Sequence, residues 1–359
     1  MRIAITTGGG DAPGLNAVIR AIVLSATNRG WQTYGIRQGY GGLLTGEGVM
    51  TLTPERVRGI THLGGTILGT TNRGDPFRWA MKDSAGRDAE VDRSDELIAA
   101  FNASGFDGLI CIGGDGSLRI AYDLWLKGLP VIGVPKTIDN DVYGTLATFG
   151  FDTAVSTATE ALDKLHSTAE SHQRVMVVEV MGRYAGWIAL TSGVSAGADV
   201  ILIPEVPFDI DKVCEKILAR EAQGRHFSIV VVAEGAVVQE GDPVLLERRV
   251  AGDVDRLGGI GSLVAHAIAA RTGKETRTLV LGHLQRGGSP TTFDRLLALR
   301  FGSAAVRAIA DKAFGTMVGF APPTIVRVPL RDVVGRTKHV PLDSDTVLTA
   351  RELGISLGD

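Results

Sequence analysis

Apolar residues recur along this chain in short runs, many of them β-branched, and most runs are followed by a longer stretch whose apolar positions fall three and four apart. The first pattern suits strands buried on both faces, the second amphipathic helices packed against them. On this reading residues 2–6, 32–37, 108–112 and 131–134 are predicted strands, and residues 15–28, 94–104 and 117–127 helices. A second series follows. It opens with a helix over 152–168, where Ala154, Val155, Ala158, Ala161, Leu162 and Leu165 share one face. Strands at 174–180, 200–203 and 228–233 then alternate with helices at 184–195 and 210–221. The segment 239–252, acidic and then basic, reads as a crossing back to the first unit, completed by a helix at 255–272, a strand at 278–281 and a helix at 290–313. Strands alternating with helices predict parallel sheets. The expected fold is therefore α/β: two Rossmann-like three-layer domains with mostly parallel sheets and the active site in the cleft between them. The expected boundaries are 1–138 plus 253–320 for the first domain, 139–252 for the second, and 321–359 for a C-terminal extension over a surface or a subunit contact.

A length of 359 residues suffices for two such cores. The formal charge of −3 gives the whole molecule no field that selects nucleic acid or an anionic membrane. Charge chemistry must then be local. No apolar run approaches the roughly 20 residues that span a bilayer. Cys111 and Cys214 lack metal-ligand spacing, and nothing at the N-terminus resembles a signal peptide, so a reducing cytoplasm is expected. Glycine is abundant but clusters where apolar runs end, as tight turns and close ligand approach require.

In open parallel sheets ligands bind beyond the carboxyl ends of the strands. Six polar motifs fall there: TTGGGDAPG, GGDGS, PKTIDND, EVMGR, AEG and GHLQRGG. Together they argue for a phosphate-rich site. The glycines ending in Gly10 offer backbone N–H groups to a phosphate, although a purely structural turn explains them equally. Neither GxGxxG nor a P-loop ending in GK[ST] is present. In GGDGS (Gly113 to Ser117) Asp115 either caps a helix or ligates Mg²⁺. PKTIDND places Lys136, Thr137, Asp139 and Asp141 in a few residues. A solvated turn is the plain reading. The chemical one makes Asp139 a general base in phosphoryl transfer, has Thr137 hydrogen-bond the moving group, and lets Asp141 share the metal with Asp115.

These motifs, with SHQR, IPEVP and the long run ETRTLVLGHLQRGGSPTTFDR, resemble in order and context the 6-phosphofructokinases of the bacterial type, over residues 2 to about 313. The resemblance implies transfer of the γ-phosphoryl group of ATP to the 1-hydroxyl of fructose 6-phosphate, a glycolytic, Mg²⁺-dependent kinase reaction. The first domain would hold the donor and the second the sugar phosphate. Asp139 would be the base, with Thr137, Lys136 and Arg183 completing the catalytic set, and Asp115 and Asp141 attending the metal. Gly10, Tyr40, Arg73, Gly114, Asp115, Gly116 and Ser117 would line the donor site. Met181, Gly182, Arg183 and Glu234 would hold the sugar, and His283 and Arg286 its 6-phosphate. Arg174 and Arg277 would reach the sugar phosphate of a neighbouring subunit, implying a homodimer or homotetramer with shared active sites. Guanidinium forks suit such dianions, while surface ion pairing is the ordinary alternative for each arginine taken singly.

The donor is a finer question. Pyrophosphate users of the family generally have GGDD, and Gly116 leaves that second carboxylate's place to a nucleotide α-phosphate. Lys136 is instead usual in pyrophosphate users, so the chain resembles a mixed-substrate group with ATP favoured and pyrophosphate the second reading. Asn72 stands where the family has an arginine, with Arg73 one residue later. Arg20 and Arg225 match the family's effector pocket, but Leu24, His166 and Gln223 replace basic residues there, which implies weakened regulation. Two other classes stay open: a catalytically dead regulatory subunit, which would have no need of Asp139, and a dinucleotide-dependent oxidoreductase, which lacks its glycine fingerprint here.

Overall fold

A computed structural model describes the chain apart from residues 47, 72, 83–85, 240–244 and 248–255. Its strands are β1 (Arg2–Thr7), β2 (Gln32–Ile36), β3 (Val49–Leu52), β4 (Trp79–Lys82), β5 (Asp88–Val91), β6 (Gly108–Gly113), β7 (Val131–Thr137), β8 (Phe149–Gly150), β9 (Val175–Val180), β10 (Val200–Leu202), β11 (Ser228–Ala233), β12 (Leu245–Glu247), β13 (Arg256–Leu257), β14 (Thr276–Val280), β15 (Thr316–Ala321) and β16 (Thr324–Pro329). Its helices are α1 (Leu15–Thr27), α2 (Gly41–Leu44), α3 (Ser94–Ala103), α4 (Asp115–Leu126), α5 (Phe151–His172), α6 (Trp187–Ser195), α7 (Ile210–Ala222), α8 (Ile260–Thr272), α9 (Thr292–Ala310), α10 (Leu330–Val333) and α11 (Asp345–Glu352). Among the described residues no helix is long and apolar enough to cross a membrane.

Two sheets organise the molecule. The first runs β16-β15-β7-β6-β1-β2-β3, with β8 paired to the end of β7, and its central strands β15, β7, β6, β1 and β2 are mutually parallel. The second, β10-β11-β9-β14, is parallel throughout. Period-2 side-chain alternation sorts each strand between two helical layers. Ile3, Ile5, Ile110, Ile112, Ile132 and Val134 pack under α1 and α9, whereas Ala4, Leu109, Cys111 and Val131 face α3 and α4. In the second sheet Val178, Val180, Ile229 and Val231 meet α5 and α6, and Val175, Val177, Val230 and Val232 meet α7 and α8. Each fully covered aliphatic side chain contributes on the order of 1.5–3 kcal/mol. The α/β architecture with mostly parallel sheets is as expected.

Three expectations are corrected. The segment carrying α8 and β14 completes the second sheet and not the first: β14 pairs in parallel with β9, Thr276 opposite Val175. The tail is no separate extension, because β16 forms an antiparallel edge on β15 of the first sheet, while Val347, Ala350, Ile355 and Leu357 enter the core of the second. The PKT of PKTIDND is strand, not loop, with Pro135 opposite Gly113 and Lys136 opposite Phe149. Most of the expected crossing at 239–252 lies outside the described residues.

The lobes are tied where α5 and α9 begin. The Asp294 carboxylate, wholly buried, accepts from the Thr153 amide at 2.8 Å and hydroxyl at 2.6 Å. Thr291, the N-cap of α9, accepts from the Asp294 amide and donates to Asp152 at 2.6 Å. Two helix starts therefore satisfy each other's unpaired amides.

Candidate active site

β1, β6 and β7 lie within one parallel sheet, so their carboxyl ends and the turns that follow open on one edge. In the glycine turn Gly8 donates its N–H to Ile112 O at 3.0 Å and Gly9 to Thr71 O at 3.1 Å. Those two N–H groups, expected to face a phosphate, are consumed by the fold. Gly10 turns its carbonyl to Lys136, whose buried ammonium donates to it. A Cβ on Gly10 would stand 2.7 Å from a guanidinium nitrogen of Arg286, so this residue marks where the lobes touch. Asp115 and Gly116 are exposed in the first turn of α4, and a Cβ on Gly116 would meet nothing within 4 Å. Gly114 lies against β7, and Ser117 Oγ wedges under Gly8.

Arg73 is exposed on a loop joined to this turn by the Thr70 hydroxyl, which donates to Gly9 O at 2.5 Å. Asn72 lies outside the described residues. The buried amide of Asn16, early in α1, donates to Leu63 O and Gly64 O and accepts from the Ile67 amide. Tyr40 is buried, its hydroxyl 3.2 Å from Cys111 Sγ, as an ordinary core tyrosine would be.

At the end of β7 the chain turns through Asn140, which has a left-handed φ of 53° that asparagine tolerates. Thr137 Oγ1 accepts from the Asp139 amide at 3.1 Å. Asp139 Oδ1 is buried and has no hydrogen-bond partner among the described residues. Burial, then Asp141, lifts the Asp139 carboxyl to about 7, against the pull of Arg286. Burial raises Asp141 as well, opposed by its hydrogen bonds and by Lys338. The Asp115 carboxyl, partly shielded although the residue as a whole is exposed, is raised by that desolvation and then by Asp141. Burial and then Arg286 lower Lys136 to about 8, while Asp11, Asp139 and Asp141 oppose the fall. An unpartnered carboxylate oxygen, held near neutrality beside an ammonium and a guanidinium, is chemically a proton acceptor waiting for a hydroxyl.

The second lobe faces this centre. Gly235 N donates to Gly182 O at 3.1 Å, and a Cβ on Gly235 would sit 2.0 Å from Arg183 O, so only glycine lets the AEG turn lie on the MGR turn. Glu234 is raised by burial and then by Glu179, with Arg286 and Arg183 opposing. Arg183 stacks on Tyr184 at 5.1 Å. Met181 donates its N–H to Gln285 Oε1 at 3.3 Å. Arg286 reaches across, its guanidinium donating to Asp11 O at 3.1 Å, while His283 is exposed on the same 3₁₀ turn, Gly282–Arg286. The fold thus assembles Gly10, Lys136, Asp139, Glu234, Arg183 and Arg286 into one cluster where the lobes meet.

Arg174 and Arg277 are not brought to it. Arg174 immediately precedes β9 and Arg277 is the second residue of β14, whereas the sugar motifs follow the far ends of those strands. Strands of this length separate the arginines from those motifs by roughly 17–23 Å. Both arginines pair with Glu275, Arg174 at 2.9 Å.

Two interior residues were missed. Gln285, fully buried, joins the MGR and GHLQR turns; its position inside a motif was the available signal. Lys338 was invisible from sequence, lying in the tail and donating to Asn140 Oδ1 at 2.8 Å.

Among the described residues no group of three or more His, Cys, Asp or Glu side chains is placed to hold a metal. Mg²⁺ does not require one: it binds through one or two carboxylates, with substrate phosphates and water completing the shell. Asp115 and Asp141, which repel each other when charged, fit that demand.

Fold and site together define a two-lobed α/β protein in which buried acidic and basic side chains from both sheets meet at one seam. Residues 2–309 match the family described as phosphofructokinase. The chain is 52% identical over 358 residues to an ATP-dependent 6-phosphofructokinase of Chloroflexus aurantiacus, covering 100% of this chain and 98% of the relative. It is also 50% identical over 344 residues to a pyrophosphate--fructose 6-phosphate 1-phosphotransferase of Amycolatopsis methanolica, covering 95% and 96%. The crystal structure of Pichia pastoris phosphofructokinase in the T-state superposes with a TM-score of 0.79 at 33% identity, over 99% of this chain and 37% of that one. The chain belongs to the phosphofructokinase family.

Proposed function

We propose that the chain transfers the γ-phosphoryl group of ATP to the 1-hydroxyl of fructose 6-phosphate, giving fructose 1,6-bisphosphate and ADP. The observation that carries this reading is the unpartnered Asp139 Oδ1 between lobes that each present phosphate-binding cations. The sugar is held by Met181, Gly182, Arg183 and Glu234, with His283 and Arg286 at its 6-phosphate. Asp139 takes the hydroxyl proton as the oxygen bonds to phosphorus and the bond to ADP breaks. Thr137 and Lys136 contact the phosphoryl group in flight, and Lys136 and Arg286 offset its charge. Asp115 and Asp141 would hold Mg²⁺, which when bound neutralises the donor phosphates. Arg73 and the Gly114 to Ser117 turn border the donor, so the first sheet serves the nucleotide and the second the sugar phosphate.

Open space at Gly116 supports ATP, since an α-phosphate meets exposed backbone there and no side chain. Lys136 favours pyrophosphate as a second reading, and a relative of that kind is nearly as similar as the ATP-dependent one. Arg174 and Arg277, remote from their own cleft, support a homodimer or homotetramer in which they complete a neighbour's site. His166 Nε2 lies 2.7 Å from Ala196 O and is engaged there, in keeping with a weakened effector pocket. Two buried free thiols suit a reducing cytoplasm. The test is a coupled assay with ATP or pyrophosphate, run on wild type and Asp139→Asn. Expected is ATP-dependent turnover that the substitution lowers about 10²–10⁴-fold. Turnover within a few-fold of wild type would remove Asp139 as the base.

A further inference from the structure

The geometry points to Lys338, in the C-terminal segment, as a positioning residue for phosphoryl transfer, acting through Asn140 on the two aspartates that flank it. This rests on the function proposed above. The Lys338 ammonium spends all three of its donors on one loop: Asn140 Oδ1 at 2.8 Å, Leu146 O at 2.9 Å and Thr145 O at 3.0 Å. Asn140 is the left-handed residue between Asp139 and Asp141, and its Oδ1 also accepts from the Thr148 amide at 3.1 Å. One side-chain oxygen therefore couples the turn, the lysine and the strand start at Phe149.

The segment around Lys338 is itself fixed from both lobes. Its backbone N–H donates to Asp141 O at 2.8 Å, and Thr337 pairs with Val142. On the other side Trp187 Nε1 donates to Lys338 O at 2.9 Å, the indole ring lies 5.5 Å from the ammonium, and the Val340 amide donates to Glu205 at 2.8 Å. Lys338 touches no residue assigned to the sugar, so it acts on the alignment of Asp139 and Asp141 and not on sugar affinity. Misplacing a reacting group by about 1 Å can cost on the order of 10²-fold in rate.

The experiment is a double-mutant cycle on the full-length enzyme with Lys338→Met and Asn140→Gly; glycine keeps the left-handed turn but lacks the acceptor. Each single variant should lower kcat by about ten-fold or more with the KM for fructose 6-phosphate within about three-fold, and the double variant should be no worse than the poorer single one. Lys338→Arg should recover part of the loss, and hydrogen exchange should quicken in residues 139–148 of the methionine variant. If Lys338→Met fails to fold, Lys338→Arg and Asn140→Gly carry the same comparison. Additive losses, an unchanged kcat, or a rise in KM without a fall in kcat would overturn the inference. A wild type that phosphorylates no fructose 6-phosphate would instead sink the proposed function.

Discussion

Replacing Gly116 by aspartate isolates the basis of donor choice. The side chain would enter open space, since its Cβ has no neighbour within 4 Å and the residue has no left-handed φ to strain. In the first turn of α4 a carboxylate is tolerated or slightly favoured, by roughly 0.3–1 kcal/mol, because it faces the positive end of the helix. Folding should therefore be unharmed, and any loss can be assigned to the ligand. A new charge about 5 Å from an α-phosphate costs on the order of 3 kcal/mol at an effective dielectric of 20, and about half that where water screens it. Between ten- and a hundred-fold loss in kcat/KM for ATP is expected, with a melting temperature at or above wild type. Pyrophosphate has no third phosphate to repel, so its kcat/KM should stay within about three-fold of the wild-type value. The assay is steady-state kinetics with each donor at saturating fructose 6-phosphate, checked against a thermal melt. Equal losses for both donors, or undiminished ATP use, would refute the electrostatic argument.

Two further outcomes follow from the site. Asp139 must be ionised to accept a proton, and burial holds its carboxyl at about 7, so kcat/KM should rise with pH through that value. Lys136 at about 8 must stay charged to offset the phosphoryl group, so the same profile should fall above pH 8; a flat profile from 6 to 9 would contradict both assignments. If Arg174 and Arg277 complete a neighbour's site, then Arg174→Ala and Asp139→Ser enzymes, each nearly inactive, should regain a substantial fraction of wild-type activity when dissociated, mixed and reassembled. Mixtures that stay inactive after verified subunit exchange would place each arginine in its own subunit's structure.

Much of the fold was legible because its determinants are local. Ile110, Cys111 and Ile112 form a wholly apolar run, and the helix over 152–168 announces itself by spacing, so elements emerged close to their observed limits. The placement of PKTIDND was legible for the same reason: Asp139 and Asp141 lie two positions apart in the chain, and a parallel sheet must place them at its carboxyl edge. Tyr40 shows the limit of such reading. A motif position pointed to the donor site, while the fold buries the ring and sets its hydroxyl 3.2 Å from Cys111 Sγ, a partner 71 positions away that no local pattern names.

What only the tertiary structure decided were the non-local choices. Periodicity marks β14 as a strand but not which sheet it closes; its parallel register on β9, Thr276 opposite Val175, decided that. The same holds for the tail, where Lys338 finds Asn140 across 198 positions of sequence. The residues by themselves determined the elements, the turns and the close spacing of Asp139 and Asp141, all of which depend on near neighbours. Which charge confronts which across the cleft depended on how two sheets pack, and no local pattern encodes that.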